Sequence, residues 1–137
     1  MAIRYSTNVK DVDYDALKQW KTGDGEAHGK KWYDKLLNGS AFVVSAFDGD
    51  KMVGFSRAFG DGLIWLMIVG LIVRQDYRRQ GIATEMLRRV IKFAKKNKYQ
   101  TVRLFAALDK DPGLREFYKK NRFEPMDNAM RSKDMEW

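Results

Sequence analysis

The segment Leu71–Thr84, with the sequence LIVRQDYRRQGIAT, joins the longest apolar run of the chain to its most regular helical pattern. It predicts a buried strand, a basic loop and the first turn of a helix, where Gly81 and Ala83 leave the backbone free of large side chains. The unpaired N–H groups of a helix N-terminus bind anions. Arg78 and Arg79 add positive charge there. The segment therefore predicts a phosphate or pyrophosphate site, although a solvated loop before a closely packed helix fits the local composition equally well.

Two common phosphate-binding motifs are excluded at this junction. A P-loop places Gly-Lys-Ser/Thr at the start of its helix, and the residues around Gly81 contain no such triplet. A dinucleotide-binding fingerprint needs three spaced glycines, and Gly81 is the only glycine of the segment. Any phosphate bound here must therefore be held by a different arrangement.

The rest of the chain predicts a mixed α/β sheet with helices on both faces. Hydrophobic periodicity predicts strands over Ile3–Ser6, Ala41–Phe47, Met52–Phe59, Leu63–Val73, Thr101–Ala106 and Phe123–Arg131. It predicts helices over Asp11–Trp20, Gly29–Leu37, Gly81–Asn97 and from Asp111-Pro112 to Asn121. The order is β-α-α-β-β-β-α-β-α-β, with a hairpin turn at Asp48-Gly49-Asp50 and a parallel crossover from Leu63 to Ala106.

Composition narrows the chemistry that this single predicted domain, residues 1–137, can perform. Of the 137 residues, 45% are hydrophobic, which is enough for a core. Cysteine is absent and histidine occurs once, so a cysteine nucleophile, a thiolate metal site and a multi-histidine metal site are excluded, and we expect no metal. The 26 basic and 18 acidic residues give +8, which suits either an anionic partner or a solvated basic surface.

No secretion signal or membrane span is predicted. The longest apolar run, Leu63–Val73, is well short of the roughly 20 residues that a spanning helix needs. The first ten residues are polar and lack the apolar core of a signal peptide. We therefore expect a cytoplasmic protein with no membrane partner.

Two motifs connect the chain to a known family. Arg78-Arg79-Gln80-Gly81-Ile82-Ala83 matches Gln/Arg-x-x-Gly-x-Gly/Ala, the acyl-CoA binding signature of the GNAT superfamily of N-acetyltransferases. Leu114–Pro125, with the sequence LREFYKKNRFEP, resembles the later motif FYxxxGFxP of that family. The predicted order of elements is also similar to the family fold. The resemblance covers essentially the whole chain and identifies it as similar to small single-domain members.

The resemblance implies an acetyl-CoA-dependent N-acetyltransferase that transfers acetyl directly to the primary amine of a small molecule. It places the pantetheine arm along the main chain of Leu71, Ile72 and Val73. It places the pyrophosphate at Arg78, Arg79, Gln80, Gly81, Ile82, Ala83 and Thr84. Tyr118 corresponds to the tyrosine that faces the departing sulfur, and a main-chain N–H near Leu71 or Ile72 is the expected oxyanion donor. Homodimers are common in the family, so a homodimer is implied as well.

The chain departs from the family pattern at two positions. Arg122 stands where the family has a glycine, and we expect Asn121 to adopt the left-handed conformation in its place. Gly70 stands where many relatives carry a polar residue, which removes one candidate for a general base. His28, which lies between the first two predicted helices and near Asp24 and Glu26, is another candidate for the general base. A water molecule that relays the proton of the amine is an equally good alternative. Trp20, Trp32 and Tyr33 flank this loop, and the two tryptophans are expected in the core or at a dimer contact.

Other functions remain open at this point. A basic nucleic-acid-binding or protein-binding module that retains a vestigial CoA pocket would use the basic face of the main helix. The intact signature at Arg78–Ala83 and the retained Tyr118 favour the enzyme, so nucleic acid is not the expected partner. A protein or peptide N-acetyltransferase would differ from the small-molecule enzyme only in its acceptor.

Overall fold

The computed structural model describes residues 2–106, 111–126 and 129–135, in two compact units, Met1–Phe105 and Ala106–Trp137. In the first unit the strands are β1 Ile3–Ser6, β2 Phe42–Asp48, β3 Lys51–Gly60, β4 Trp65–Val73 and β5 Thr101–Leu104. Its helices are α1 Tyr14–Gln19, α2 Lys30–Asn38 and α3 Ile82–Lys96. The second unit contains α4 Pro112–Lys120. Short 3-10 turns occupy Val9–Asp11, Gln75–Tyr77 and Lys133–Met135.

The strands form one five-stranded mixed sheet in the order β1-β2-β3-β4-β5. Neighbouring strands are antiparallel from β1 to β4, and β4 and β5 are parallel, joined through α3. The predicted hairpin is confirmed, because β2 ends at Asp48, β3 begins at Lys51, and Gly49 in the turn has a φ of +60°. The predicted mixed α/β architecture is confirmed with it.

Helices cover both faces of this sheet because the buried strands are apolar on both sides. On one face, Met86 of α3 lies over Gly54 and Ala46. On the other face, Val43 and Phe55 pack in a cluster with α1 and α2. The remaining buried members of that cluster are Val12, Ala16, Leu17, Tyr33, Leu37, Phe47 and Met52. The helix α3 buries Ile82, Met86, Leu87, Val90 and Ala94, the stripe that its 3.6-residue period predicts.

The start of β4 differs from the sequence prediction. Leu63 and Ile64 were expected in the strand, but β4 begins at Trp65. Asp61 is the cause, since its Oδ1 accepts hydrogen bonds from the backbone N–H groups of Leu63, Ile64 and Trp65 at 2.9, 2.7 and 3.0 Å. These N–H donors also hold the pKa of the Asp61 carboxyl below its usual value. A side chain thus replaces the strand partner over these residues.

In the second unit, the start of α4 follows the prediction and its end does not. Asp111 caps the helix by accepting a hydrogen bond from the N–H of Gly113 at 2.9 Å, with Pro112 in the first turn. The prediction of a left-handed Asn121 is wrong, because its φ is −93° and Arg122 has a φ of +69°. Asn121 instead donates from Nδ2 to the carbonyl of Phe117 at 2.8 Å. Its side chain therefore caps the helix while Arg122 makes the turn.

The strand predicted over Phe123–Arg131 is absent from the part of it that the structure describes, residues 123–126 and 129–131. Pro125 gives a physical reason, because proline lacks the N–H that a strand ladder requires. The apolar residues of this segment, Phe123, Met126 and Met130, therefore do not indicate a strand by their spacing alone.

Removing the Phe55 ring should destabilise the first unit strongly. Phe55 is fully buried on β3, and replacing such a ring by alanine leaves a cavity that costs about 3–5 kcal/mol of unfolding free energy. Phe59 lies on the same strand but is 43% exposed, so Phe59→Ala is the matched control. Urea unfolding of both variants should show a much larger loss for Phe55→Ala. Equal losses would contradict the assignment of the core.

Candidate functional site

A bulge in β4 is the first special feature of this region. Ser56 pairs with Leu71 and Arg57 pairs with Val69, so Gly70 is an extra residue without a partner in β3. Gly70 has a φ of +86°, and its carbonyl accepts a hydrogen bond from Ser56 Oγ at 2.7 Å. An L-residue with a side chain is strained in this conformation. The bulge therefore explains why glycine stands at this position.

The strands β4 and β5 separate next to this bulge. Their pairing covers Trp65–Ile68 of β4 and Thr101–Leu104 of β5, while β4 continues to Val73. The last residues of β4 therefore have β3 on one edge and no pairing with β5 on the other. This separation leaves one edge of β4 without strand pairing at the residues where the pantetheine arm is expected.

The register shows which main-chain groups of β4 face the opening. The N–H of Arg74 donates to the carbonyl of Val53 at 2.8 Å. Because hydrogen-bonded and non-bonded pairs alternate in an antiparallel ladder, Ile72 is bonded to β3, and the N–H and C=O groups of Leu71 and Val73 face away from it. Of the two expected oxyanion donors, Leu71 therefore directs its N–H into the opening and Ile72 does not. The carbonyl of Val73 accepts a hydrogen bond from Arg78 Nε at 3.1 Å.

An open cleft of about 680 Å³ lies between this end of β4 and the end of α1. Three of the residues that sequence analysis assigned to cofactor binding, Ile72, Val73 and Arg78, line it. The other lining residues are Gln19, Trp20, Arg74, Gln75 and Asp76. Sequence analysis missed all five of these as site residues, although Arg74, Gln75 and Asp76 follow directly after the predicted strand. Trp20 was expected in the core or at a dimer contact, and it packs against the core cluster as well.

The loop before α3 leaves the N-terminus of that helix open. Arg79 and Gly81 both have left-handed backbones, with φ of +63° and +83°. The first helical hydrogen bond is donated by the N–H of Glu85 to the carbonyl of Gly81 at 3.0 Å, so the N–H groups of Ile82, Ala83 and Thr84 have no acceptor within the helix. A Cβ built on Gly81 would meet no atom within 4 Å. The site therefore has both the space and the donors that a phosphate group requires.

Tyr77 fixes the position of this loop. Its hydroxyl donates to Asp48 Oδ2 at 2.5 Å, which joins the loop after β4 to the hairpin between β2 and β3. The hydrogen bond to Asp48 raises the pKa of Tyr77, so the hydroxyl stays protonated at neutral pH. Lys51 Nζ and the Arg74 guanidinium lie 5.4 and 6.0 Å from the centre of the Tyr77 ring. Sequence analysis missed this contact.

His28 is held by its own loop. Its Nε2 lies 2.9 Å from each carboxylate oxygen of Asp24, and its ring stacks on Trp32 with centroids 3.8 Å apart. The hydrogen bond with His28 lowers the pKa of Asp24. The backbone N–H of His28 donates to the hydroxyl of buried Tyr33 at 3.3 Å. His28 is not among the residues that line the cleft, so these contacts support a structural role for it.

Tyr118 lies on α4, in the second unit. Its ring packs edge-on against Phe117 and Phe123, with centroids 5.1 and 5.9 Å apart. Burial raises the pKa of the Tyr118 hydroxyl above its usual value of 10.0. The hydroxyl is therefore protonated at neutral pH, which suits a hydrogen-bond donor better than a group that gives up its proton.

The GNAT acetyltransferase family model matches residues 9–123, and the chain belongs to this family. The match contains the first motif and residues 114–123 of the second, and it extends over most of the chain. The protein is thus an acetyltransferase of the GNAT class, and acetyl-CoA is the acyl donor of that class. No curated protein matches the chain in sequence.

Solved structures share the fold. A Staphylococcus aureus protein has a TM-score of 0.74 at 23% identity, covering 96% of this chain and 99% of that one. A GNAT family acetyltransferase from Streptococcus pneumoniae has a TM-score of 0.72 at 21% identity, covering 96% and 98%. A GNAT family acetyltransferase from Elizabethkingia anophelis, solved with acetyl-CoA bound, has a TM-score of 0.70 at 17% identity, covering 91% and 78%. At these identities the likeness shows a common fold.

Within residues 2–106, 111–126 and 129–135, no group of three or more His, Cys, Asp or Glu side chains could hold a metal ion. None of the helices in these ranges has the length and apolar character required to span a membrane.

Removing the Tyr77 hydroxyl should weaken acetyl-CoA binding. Tyr77→Phe loses the hydrogen bond to Asp48 that fixes the loop before α3, so part of the loop must be ordered on binding. We expect a higher acetyl-CoA dissociation constant, measured by calorimetry, and little change in turnover at saturating acetyl-CoA. Tyr14→Phe is the matched control, because Tyr14 also donates to an aspartate, Asp34, but far from this loop along the chain. The same loss of affinity in both variants would contradict the role of Tyr77.

Proposed function

We propose that the protein is an acetyl-CoA-dependent N-acetyltransferase that transfers acetyl directly to the primary amine of a small molecule. The observation that carries the proposal is the combination of a β4 edge with unpaired main-chain groups and an open helix N-terminus a few residues later. The first can hydrogen-bond an extended amide chain such as pantetheine, and the second can bind a pyrophosphate. Both features lie in one unit, on consecutive parts of the chain.

The donor would be held mainly by backbone groups. In this proposal the pantetheine arm accepts from and donates to the main chain of Leu71 and Val73, in the opening between β4 and β5. On binding, the hydrogen bond from Arg78 Nε to the carbonyl of Val73 would break, or the carbonyl would accept from Arg78 and from the pantetheine arm together. The pyrophosphate would bind at the N–H groups from Gly81 to Thr84, where a glycine with open space around it lets the phosphate approach the backbone. Positive charge from Arg79 supports the same anion.

The proposed reaction follows from the absence of cysteine and from two hydrogen-bond donors, the N–H of Leu71 and the hydroxyl of Tyr118. Because cysteine is absent, no cysteinyl acyl-enzyme forms, and the neutral amine attacks the thioester carbon directly. A C–N bond forms and the C–S bond breaks, the amine loses a proton to water, and the thiolate of CoA leaves. The N–H of Leu71 would stabilise the negative charge that develops on the carbonyl oxygen. Tyr118 would donate a hydrogen bond to the departing sulfur.

The size of the cleft supports a small acceptor. Its volume of about 680 Å³ is within the range of about 300–1,000 Å³ that is typical of small-molecule sites. Trp20 gives one wall a flat apolar surface, and the charged side chains of Arg74 and Asp76 pair with each other at 3.2 Å.

Acetyl-CoA should stabilise the protein against thermal unfolding. A ligand present at a hundred times its dissociation constant adds about 2.7 kcal/mol to the free energy of unfolding, and this appears as a higher Tm. Gly81→Ala should lower both basal stability, by about 1–2 kcal/mol for the left-handed backbone, and the shift with acetyl-CoA. Gly29→Ala is the matched control, since Gly29 also precedes a helix in open space but has a φ of −84°. No Tm shift of the wild type at saturating acetyl-CoA would sink the proposal.

Tyr118→Phe should reduce turnover more than acetyl-CoA affinity. The phenol would contribute a hydrogen bond that strengthens as charge develops on sulfur, so we expect kcat to fall by about 10- to 100-fold. Because the pKa of Tyr118 is raised, the group remains protonated across pH 7–9 and should add no loss of activity in that range. Free-thiol release over a panel of amines measures turnover, and Phe117→Leu controls for loss of aromatic packing in α4. Unchanged kcat in Tyr118→Phe would assign this residue to packing alone.

A further inference from the structure

Arg57 is a half-buried cation on the face of the sheet that α1 and α2 cover. It lies on β3 and pairs with Val43 of β2 and Val69 of β4. Side chains of directly paired residues share a face, and Val43 packs in the core cluster with α1 and α2. The Arg57 guanidinium therefore lies on that face, where its Nη1 donates to Ser40 Oγ at 3.3 Å.

No carboxylate compensates the charge of Arg57 within the part of the chain that the structure describes. The ion pairs found there involve His28, Lys30, Arg74, Arg88 and Arg89, and not Arg57. Burial lowers the pKa of the Arg57 guanidinium, which indicates a desolvated charge. A guanidinium offers five N–H donors in a planar fork that matches a carboxylate. One hydroxyl at 3.3 Å leaves most of that capacity unused.

The surroundings of Arg57 link it to the proposed reaction centre. Ser56, its neighbour on β3, pairs with Leu71 immediately after the Gly70 bulge. Strand spacings of about 4.8 Å across and 3.4 Å along the sheet place the backbones of Arg57 and Leu71 about 6 Å apart. Phe59 and Met67 pair with each other on the same face, and Phe59 is 43% exposed. An accessible apolar surface thus adjoins the cation on the side away from Leu71.

We propose that Arg57 binds a carboxylate on the acceptor, so that the substrate is an amino-carboxylate with an apolar body and not a simple amine. The inference rests on the proposed function, because it places the amine beside Leu71. The carboxylate accepts two hydrogen bonds from the guanidinium, and the apolar body lies against Phe59 and Met67. Arg57 determines specificity in this arrangement and takes no part in bond formation.

A purely structural role for Arg57 makes a different prediction. Ser40 follows α2, and its Oγ donates to the carbonyl of Leu36 at 3.0 Å, so Arg57 also lies near the negative end of that helix. If Arg57 served only to stabilise this helix end, its loss would lower Tm and reduce activity toward all acceptors alike. Binding of a carboxylate requires a change in preference between acceptors.

The experiment compares acceptors that differ only in a carboxylate. Phenylalanine is paired with phenethylamine, and 6-aminohexanoate with hexylamine, and kcat/KM is measured for each with acetyl-CoA. We expect the wild type to prefer the carboxylate-bearing member of at least one pair, and Arg57→Met to lower that preference ratio by about 10- to 100-fold, as for the loss of a charge-assisted hydrogen bond. Arg103→Met is the matched control. Arg103 is on the same face of the sheet, on β5, with its guanidinium 4.4 Å from the Trp65 ring.

Arg103→Met should leave the preference ratio unchanged, because the proposal depends on Arg57 and not on the overall charge of this face. Equal losses in the two variants would overturn it, as would a wild type without any preference for carboxylates. Calorimetry with N-acetylphenylalanine and N-acetylphenethylamine in the presence of CoA gives the same comparison without turnover, and equal affinities there would also overturn it. The acetyl-CoA Tm shift, measured alongside, separates this failure from failure of the proposed acetyltransferase, in which that shift would be missing.

Discussion

The hydrogen bond from Ser56 to the carbonyl of Gly70 marks the constraint on which the site depends, namely one extra residue in β4. A strand bonded along both edges has no main-chain groups to offer a ligand. The bulge bends β4 so that it continues beyond its pairing with β5, and the register then directs Leu71 and Val73 into the opening. The bulge also shifts the alternation of side chains, so that Val69 and Ile72, three residues apart, both face α1 and α2. The opening proposed for the acyl donor and the sheet face proposed for the acceptor thus meet at Gly70.

Features that arise from local chemistry could be predicted from the sequence. The apolar stripe of α3 and the Asp111 cap depend on residues within a few positions, and both are confirmed. Contacts between distant residues could not be predicted. The bulge depends on the pairing of β3 with β4, and the hydrogen bond of Tyr77 joins residues 29 positions apart. In the sequence, Gly70 indicates only a lost polar residue, because its left-handed backbone cannot be inferred without the partner strand.

The predicted start of β4 and the predicted end of α4 were wrong because a polar side chain replaces a backbone hydrogen-bond partner at each place. Leu63 and Ile64 extend an apolar run, yet the Asp61 carboxylate accepts hydrogen bonds from their N–H groups, so β4 begins only at Trp65. Asn121 is a common residue for a left-handed turn, but its side chain caps α4 and Arg122 adopts that backbone instead. In both cases the sequence contains the responsible residue, and several conformations of that residue satisfy the same local rules.

The contact between Tyr77 and Asp48 has a consequence for how an anion would be recognised. A loop that is ordered only by its ligand loses conformational freedom at the moment of association, and that cost is subtracted from the affinity. Here the loop is attached to the β2–β3 hairpin before any ligand arrives, so its entropy is lost during folding. The turn that we propose to bind phosphate is therefore preorganised by a part of the sheet that is remote in sequence. A change that disturbs the β2–β3 hairpin would therefore also lower the affinity for the nucleotide end of a ligand.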